Sequence, residues 1–461
     1  MQTSMKRWQD YISTHQHRFV DELCHLLRIP SISTDASHQQ DIQQCAERVR
    51  QYIEDAGADV AKIFPTAGHP VVYAEKHVGD HLPTVLVYGH YDVQPVDPVE
   101  LWHHDPFDPL IRDGRIYARG ASDDKGQFFM HVKALEMMTR TATLPVNMKF
   151  IIEGEEEIGS THLATFVQQH RDMLRADVVL VSDTAMISLQ QPSIDVGVRG
   201  LSYVQVEVSG PDHDLHSGVY GGAVPNPATI LCQMIASLHD ANNRVNIPGF
   251  YDDVDIISDQ ERQLLAKAPF DLAQFKRETG ILDIWGEAGY TVRERIGIRP
   301  TLEINGIWSG YTGEGAKTVL PAKAYAKISC RLVPHQDHQK ITRLLIDHLK
   351  RIAPACVRVE VKALHGGDPY VLPMDHAAYR AAVRAMKATL GKEPVPLRGG
   401  GSIPITAVFQ QILGAHTVFL GFGLDDDCLH APNEKFDLAN FLKGIETIPY
   451  FHQFFAEEMR A

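Results

Sequence analysis

The hydrophobic positions in the first two hundred residues alternate between helical spacing and short continuous apolar runs. Apolar residues three and four apart are typical of amphipathic helices, and compact apolar runs bounded by turn residues are typical of buried strands. The predicted helices cover residues 6–27, 41–56, 123–139 and 161–174, and the predicted strands cover residues 71–75, 84–88, 146–153 and 178–182. Strands that alternate with helices in this way predict an α/β fold with a mostly parallel sheet flanked by helices.

The pattern changes after Gly200 and changes back near Asp375. Between these points we predict strands over residues 201–209, 301–307, 322–331 and 357–364, helices over 226–239 and 336–351, and a polar, irregular helical region over 252–280. Two helices packed on an antiparallel sheet fit this order, which is typical of a smaller α+β domain. The α/β pattern resumes with a helix over 375–390, a strand over 417–420 and a helix over 434–459. The sequence therefore predicts a discontinuous domain of residues 1–198 and 373–461, with residues 199–372 inserted into it.

Composition and charge exclude several classes of protein. A chain of 461 residues with 44% hydrophobic and 22% charged residues has the composition of a soluble globular protein, and it is long enough for two domains. Its formal net charge of −14 and its lack of a basic stripe argue against a nucleic-acid partner. No apolar run reaches the about 20 residues that span a bilayer, and residues 1–7 lack an apolar signal core. We therefore expect a cytoplasmic protein with no membrane partner.

The six cysteines are scattered along the chain and form no Cys-x-x-Cys pair. This spacing does not suit a thiolate zinc site or a disulfide framework. We expect reduced thiols, most of them structural and buried, including Cys428.

Four carboxylates lie within five residues at Glu153-Gly154-Glu155-Glu156-Glu157, directly after a predicted buried strand. A short acidic run is usually a solvated loop. Here the run is fixed at the carboxyl end of a strand, where open α/β sheets usually bind ligands. Crowded like charges at such an edge need a positive counterpart, and a divalent cation is the strongest candidate.

Other predicted strands also end in residues that could bind a metal. His90 follows the strand over 84–88, and Asp92, two residues later, can share its face and fix the tautomer of a metal-bound imidazole. The alternative for His90 is a core histidine with a satisfied partner. Asp123 and Asp124 precede a predicted helix, where one of them could be an N-cap and the other would remain free.

The candidate residues agree in their position in the predicted sheet, since each lies just past a strand end or at the following helix start. They are His90, Asp123, Glu156, Glu157, Asp183 and His430. Two imidazoles with an excess of carboxylates favour a two-metal site of zinc, manganese or cobalt over a closed structural zinc site.

Five motifs that contain or accompany these residues occur in order along nearly the whole chain. They are Gly-His-Tyr-Asp-Val-Gln-Pro at 89–95, Arg-Gly-Ala-Ser-Asp-Asp-Lys-Gly at 119–126, Glu-Gly-Glu-Glu-Glu-Ile-Gly-Ser at 153–160, His-Asp-Leu-His-Ser-Gly-Val-Tyr-Gly-Gly at 213–222, and Asn-Glu at 433–434. Together they resemble the M20 metallopeptidase family, close to its cytosolic nonspecific dipeptidase and carnosinase branch. The resemblance implies a zinc-dependent exopeptidase-like catalytic domain, an inserted lid and dimerisation domain, and a homodimer.

The resemblance also implies two divalent metal ions per subunit, with Zn²⁺ preferred and Mn²⁺ or Co²⁺ also suited. His90 and Asp183 would bind one ion, Glu157 and His430 would bind the other, and Asp123 would bridge them. The peptide bond after the bridging aspartate is often cis in the family.

Three catalytic roles follow from the same resemblance. Glu156 would be the general base for a water activated by the two metals, and Asp92 would support His90. His216 would stabilise the oxyanion across the dimer interface; its alternative is a capped loop histidine.

Substrate-binding roles are also implied for residues of both predicted domains. The matching positions are Arg331, Thr318, Ser402 and His365. Arginine suits a terminal carboxylate because its planar fork can bind both oxygens, although Arg331 could instead form a structural salt bridge.

The expected function is metal-dependent hydrolysis of peptide bonds in dipeptides or short peptides. One departure leaves an alternative open, because Gly399 stands where carnosinase-like members usually have a glutamate that helps to hold the substrate's amino group. An amidohydrolase of the same family that acts on N-acylated amino acids (a deacylase, desuccinylase or glutamate carboxypeptidase) therefore remains a second hypothesis. A non-catalytic peptide-binding protein is a third, but it would be expected to lack the base or a ligand, and this sequence has them all.

Overall fold

A six-stranded sheet forms the centre of the larger domain in the structure of the chain, a computed structural model that describes residues 2–401 and 403–460. Its strands lie in the order Val60–Phe64, Val71–Lys76, Asn147–Glu153, Thr84–His90, Val178–Val181 and His416–Phe419. The last four are parallel to one another, and the first two are antiparallel to their neighbours. The predicted α/β class with a mostly parallel sheet is confirmed.

Helices cover both faces of this sheet because its central strands are apolar on both sides. Every residue of Val178–Val181 is buried, as expected of a parallel strand between two helical layers. The helices are Gln2–Leu27, Gln39–Asp55, Lys125–Arg140, Leu163–Gln169, Arg171–Leu174, Ala377–Leu390, Ile405–Leu413 and Leu438–Glu458. Lys125–Arg140 is the most deeply placed of them and packs against Leu438–Glu458. This packing fixes the start of Lys125–Arg140, beside Asp123, at the carboxyl edge of the sheet.

A four-stranded antiparallel sheet forms the inserted part, in the order Thr301–Ser309, Lys323–Leu332, Gly200–Ser209 and Arg358–Gly367. Helices Pro227–Ala236 and His338–Ile352 pack on this sheet. Alternate residues of Gly200–Ser209 are buried, as expected of a strand with one covered face. The predicted α+β layering is therefore present. The polar region over 252–280 holds two short helices, Asp259–Leu265 and Leu272–Thr279, and a third, Val292–Gly297, follows it.

Short strand pairs connect these layers. Gly197–Val198 pairs with Tyr370–Val371 where the chain enters and leaves the inserted part. Two further pairs are Ser193–Asp195 with Val395–Leu397 and Leu215–His216 with Val319–Leu320. A small three-stranded sheet is formed by Leu110–Arg112, Arg115–Tyr117 and Lys435–Asp437, with Arg115–Tyr117 in the middle. The one-turn helix Ser217–Tyr220 follows Leu215–His216.

Several predicted element bounds were wrong for local reasons. The last helix starts at Leu438 rather than at 434, because Lys435–Asp437 pairs with Arg115–Tyr117. The predicted helix over 161–174 is broken at His170.

Cys428 is exposed rather than buried, although the six cysteines are all free as expected. No helix in the described part of the chain is long and apolar enough to cross a membrane.

Candidate metal centre and substrate cleft

Two groups of potential metal ligands meet at the carboxyl edge of the parallel sheet, and Asp123 belongs to both. His90, Asp123 and Asp183 form one group, and Asp123, Glu157 and His430 form the other, with the ligand atoms of each group within 4.8 Å of one another. Oδ1 of Asp123 lies 3.0 Å from Nε2 of His90, and Oδ2 of Asp123 lies 2.9 Å from Nε2 of His430. One carboxylate thus presents one oxygen to each group.

Asp92 holds both the imidazole and the acidic loop in place. Its two carboxylate oxygens accept hydrogen bonds from the backbone N–H groups of Glu156, at 3.2 Å, and Glu157, at 3.1 Å. Nδ1 of His90 lies 3.1 Å from the carbonyl oxygen of Asp92 and 3.4 Å from its Oδ1. Because these acceptors favour a proton on Nδ1, the lone pair of Nε2 is left for a metal. The whole arrangement of Asp92 and His90 is buried.

Glu434 anchors the loop that carries Asp123. Its buried carboxylate accepts hydrogen bonds from the N–H groups of Gly120, Ser122 and Asp123, at 2.9–3.1 Å, and from Nη1 of Arg119 at 2.8 Å. Four donors to one carboxylate fix the backbone at the bridging position. Glu434 was part of a matching sequence motif, but sequence reasoning assigned it no role.

Asp124 does not cap the helix that follows it. It occupies the N-cap position of Lys125–Arg140 without a side-chain capping bond, and its Oδ2 instead accepts the backbone N–H of His90 at 3.1 Å. The Asp123–Asp124 peptide bond is cis, as the family resemblance implies. Gln94, another residue that sequence reasoning missed, donates from Nε2 to Oε2 of Glu157 at 2.7 Å. It lies within a matching motif, which was the only signal for it in the sequence.

Burial and mutual repulsion perturb the carboxylates of this centre. Burial raises the pKa values of Glu156, Glu157 and Asp183 well above their ordinary range, and the neighbouring carboxylates raise them further. Burial also acts to raise the pKa of Asp123, but the imidazoles of His430 and His90, 2.9 and 3.0 Å from its two oxygens, hold that pKa below its usual value. The raised pKa values of Glu156, Glu157 and Asp183 indicate that the centre holds more negative charge than its two imidazoles balance.

The residues present fit a pair of divalent cations. Nε2 of His90 is buried and has no hydrogen-bond partner among the described residues, so its lone pair faces the carboxylates of Asp123 and Asp183. The donor set of imidazole nitrogens and carboxylate oxygens is the one that zinc, manganese and cobalt accept. Cations at these two groups would relieve the repulsion that raises the carboxylate pKa values.

Two of the predicted substrate-binding residues, His365 and Arg331, lie on the four-stranded sheet. The ring of His365 reaches the acidic loop after Asn147–Glu153, since a Cβ atom on Gly159 would lie 3.9 Å from it. Burial lowers the pKa of His365, and the charge of Arg331 lowers it further. The two residues lie on the strands that flank Gly200–Ser209, where Leu201 pairs with Arg331 on one side and with Gly367 on the other. Arg331 is half-buried on the strand Lys323–Leu332.

His216 ends the short strand Leu215–His216, and Thr318 directly precedes its partner strand Val319–Leu320. Both residues are exposed, and Ser217 donates its N–H to the carbonyl oxygen of Thr318. Nδ1 of His216 accepts the N–H of Gly218, so the ring does cap a turn. Within the described residues, neither side chain has a hydrogen bond or ion pair to the metal centre. Ser402 lies outside the described residues.

Comparisons with known proteins agree with this geometry. The model of peptidase family M20/M25/M40 matches residues 86–452. A Cys-Gly metallodipeptidase of Schizosaccharomyces pombe is 32% identical, over 98% of this chain and 99% of the relative. The human Beta-Ala-His dipeptidase is also 32% identical, over 96% of this chain and 90% of its own length.

Solved structures show the same similarity in three dimensions. The di-peptidase Dug1p of Saccharomyces cerevisiae superposes with a TM-score of 0.88 at 30% identity, covering 99% of both chains. An M20 family metallo-carboxypeptidase of Sulfolobus solfataricus gives a TM-score of 0.87 at 34% identity, covering 95% of this chain and 99% of the other. The family match, the relatives and the two-part ligand centre lead to one conclusion: the chain belongs to peptidase family M20/M25/M40, and it is a metallopeptidase whose function is metal-dependent peptide hydrolysis.

Proposed function

We propose that this metallopeptidase is a dipeptidase that hydrolyses free dipeptides and short peptides, with two divalent ions per subunit and Zn²⁺ as the preferred metal. The observation that carries the proposal is the carboxylate of Asp123, whose two oxygens face two separate ligand groups. In this arrangement His90 and Asp183 would hold one ion, Glu157 and His430 would hold the other, and Asp123 would contribute to both. When bound, the ions supply the positive charge that polarises the scissile carbonyl and acidifies the attacking water.

Glu156 acts as the general base. Its carboxylate lies among the charges of His90, Asp183 and Asp123, but it accepts no hydrogen bond from another side chain in the described part of the chain. It is therefore free to take a proton from the attacking water and to pass it to the leaving amine. Asp92 positions this base through the N–H of Glu156 and orients His90 at the same time.

His216 supplies a hydrogen-bond donor to the developing oxyanion of a neighbouring subunit. Because Nδ1 of His216 accepts the N–H of Gly218, the neutral ring carries its proton on Nε2, which makes that nitrogen a donor. The exposed position of this ring suits a role in another subunit. Residues 199–372 then serve as both lid and dimerisation domain.

A homodimer is supported by an exposed apolar edge on the inserted sheet. The edge strand Thr301–Ser309 leaves Ile304, Ile307 and Trp308 exposed. An open edge strand with apolar side chains is a surface that proteins usually cover by pairing.

The substrate's carboxylate binds on the inserted domain. Arg331 provides the positive charge for that carboxylate, and His365, whose ring lies against Gly159 of the acidic loop, provides a neutral imidazole beside it. We assign Thr318 and Ser402 to the same function, as the family resemblance implies. We also place the protein in the cytoplasm, where six unpaired cysteines are stable.

The test compares free dipeptides with the same dipeptides acetylated at the amino group, each assayed by kcat/KM after removal and re-addition of Zn²⁺, Mn²⁺ or Co²⁺. A dipeptidase cleaves the free series faster. Gly399 favours the second candidate function, an amidohydrolase on N-acylated amino acids, because it removes an anionic partner for the amino group. A higher kcat/KM for the acetylated series would overturn the dipeptidase proposal in its favour.

A further inference from the structure

A cavity of about 380 Å³ lies beside Arg331, between the inserted sheet and the segments around residues 239–245 and 285–299. Its volume is within the range of about 300–1,000 Å³ that small-molecule sites occupy. Four arginines and two glutamates contribute to its lining, and they are Arg199, Arg295, Arg299, Arg331, Glu287 and Glu303. The lining therefore has an excess of positive charge in a protein whose formal net charge is −14.

The cavity continues from the proposed position of the substrate's carboxylate. His365 reaches the acidic loop at Gly159. Arg331 lies across Gly200–Ser209 from the strand that carries His365, since Leu201 pairs with both Arg331 and Gly367, and Arg331 also lines the cavity. A substrate whose carboxylate is bound by Arg331 would therefore place the side chain of its C-terminal residue at the mouth of this cavity.

Two of the charges in the lining already neutralise each other. Nε and Nη2 of Arg299 donate to the two carboxylate oxygens of Glu287, at 2.8 and 2.7 Å. Glu303 is the second glutamate in the lining. Arg295 donates from Nε to the carbonyl oxygen of Glu287, not to a carboxylate.

Arg199 is placed to act on a ligand in the cavity. Its backbone N–H donates to the carbonyl oxygen of Gly401, and its Nε donates to the carbonyl oxygen of Gly400, both at 2.9 Å. These bonds fix the base of the guanidinium group. In the described part of the chain no carboxylate lies within ion-pair distance of it. Burial lowers the pKa of Arg199 to about 10, the adjacent charge of Arg331 contributes to this, and Glu303 opposes it.

Two neighbouring guanidinium groups, both partly buried, repel each other unless an anion lies between or beside them. We propose that this cavity is the subsite for the side chain of the substrate's C-terminal residue, and that Arg199 makes it selective for an aspartate or glutamate at that position. Arg331 binds the α-carboxylate and Arg199 binds the side-chain carboxylate. The inference rests on the proposed function, because it takes the scissile bond to be the one before the C-terminal residue.

The experiment compares Ala-Glu with Ala-Gln and Ala-Asp with Ala-Asn, since each pair differs only in the charge of the second side chain. The same pairs are assayed as N-acetyl amino acids, namely acetyl-Glu with acetyl-Gln and acetyl-Asp with acetyl-Asn. The wild-type protein should prefer the acidic member by roughly 10- to 100-fold in kcat/KM, as expected for a hydrogen bond between charged groups. Arg199→Met should abolish this preference by slowing the acidic substrates and leaving the amide substrates nearly unchanged.

Two further variants separate charge recognition from loop positioning. Arg199→Lys keeps the charge but loses the Nε bond to Gly400, so it should retain part of the acidic preference. Arg343→Met removes the same charge from the exposed face of His338–Ile352 and should leave the preference at its wild-type value. Thermal unfolding of each variant checks that the fold is intact.

The proposal is overturned if the wild-type protein cleaves both members of each pair equally well, or if Arg199→Met slows acidic and amide substrates by the same factor. The second result would mean that Arg199 only positions the Gly400 loop or binds the α-carboxylate. Failure of the dipeptidase function is distinguishable from both, because the acetyl series would then be cleaved in place of the dipeptides and would still report the acidic preference.

Discussion

Replacing Glu434 by glutamine should destabilise the larger domain while changing the shape of the side chain very little. The carboxylate accepts from Arg119 Nη1 and the Gly120 N–H on one oxygen, and from the Ser122 and Asp123 N–H groups on the other. In either orientation, a glutamine presents an NH₂ group to two of these four donors. Two bonds are lost, and the buried guanidinium of Arg119 loses its counter-charge.

The expected cost follows from the burial of this group. Arg119 and Glu434 are 1% and 0% exposed, so water cannot replace the lost partner. Removing one member of a buried ion pair costs about 3–5 kcal/mol. For a domain of this size, that cost lowers the melting temperature by roughly 5–10 °C.

Differential scanning calorimetry on the apo-protein measures this change without a contribution from bound metal. Glu393→Gln is the matched control, because it removes the same group from an exposed ion pair with Lys387 and should cost at most about 1 kcal/mol. Metal titration is the second measurement, because the Ser122 and Asp123 N–H bonds orient the bridging carboxylate; affinity should fall roughly 10- to 100-fold. A Glu434→Gln protein that melts within a degree of the wild type and binds metal equally well would refute the reasoning.

Three further predictions concern catalysis, assembly and acid stability. Glu156→Gln should keep both metals, measured by elemental analysis, and lose roughly 100- to 10,000-fold in kcat, because it removes a proton acceptor and not a ligand; near-normal turnover would contradict that role. His216→Ala and Asp123→Ala proteins should each be inactive alone, but dissociation and reassociation of an equal mixture should restore about a quarter of wild-type activity, since hybrid dimers have one complete site; no recovery would place His216 in its own subunit's site or outside catalysis. Glu136 is buried, and although burial acts to raise its pKa, hydrogen bonds from Arg18 and Lys133 hold it at about 2, against 4.5 for a free glutamate. This lowered pKa stabilises the fold by about 3 kcal/mol above pH 4.5, and the contribution is lost as the pH falls towards 2. The stability difference between wild type and Glu136→Gln, measured by urea unfolding, should therefore be largest near pH 7 and should shrink below pH 4.5; a difference that does not depend on pH would contradict the assignment.

The fold was predictable from sequence wherever apolar periodicity and depth of burial coincide. The run 84–88 is apolar because both of its faces are covered, and the structure has the strand Thr84–His90 there. Val60–Phe64 was missed because it is an edge strand that is only half-buried, so its side chains do not follow a clear period. Lys435–Asp437 was assigned to a helix because three residues are too few to show the period of a strand.

The candidate metal centre was likewise predictable from sequence only in part. The observation that His90, Asp123, Asp183 and His430 follow strand ends predicted that they would converge, and the structure places them in two adjoining groups. Their roles as ligands remain proposals. The supporting contacts of Asp124 with His90 and of Gln94 with Glu157 could not be derived from local pattern, because each joins segments that are distant in sequence.

The position of Asp123 between the two ligand groups has a consequence for the order in which these groups are completed during protein synthesis. The groups draw on residues from 90 to 430, with the whole inserted domain between Asp183 and His430. A ribosome must therefore release nearly the entire polypeptide before the last ligand can join the others. If the proposed assignment of ligands is correct, loading of the ion at Asp123, Glu157 and His430 is a late event in biogenesis, and a chain that ends before residue 430 cannot complete that site.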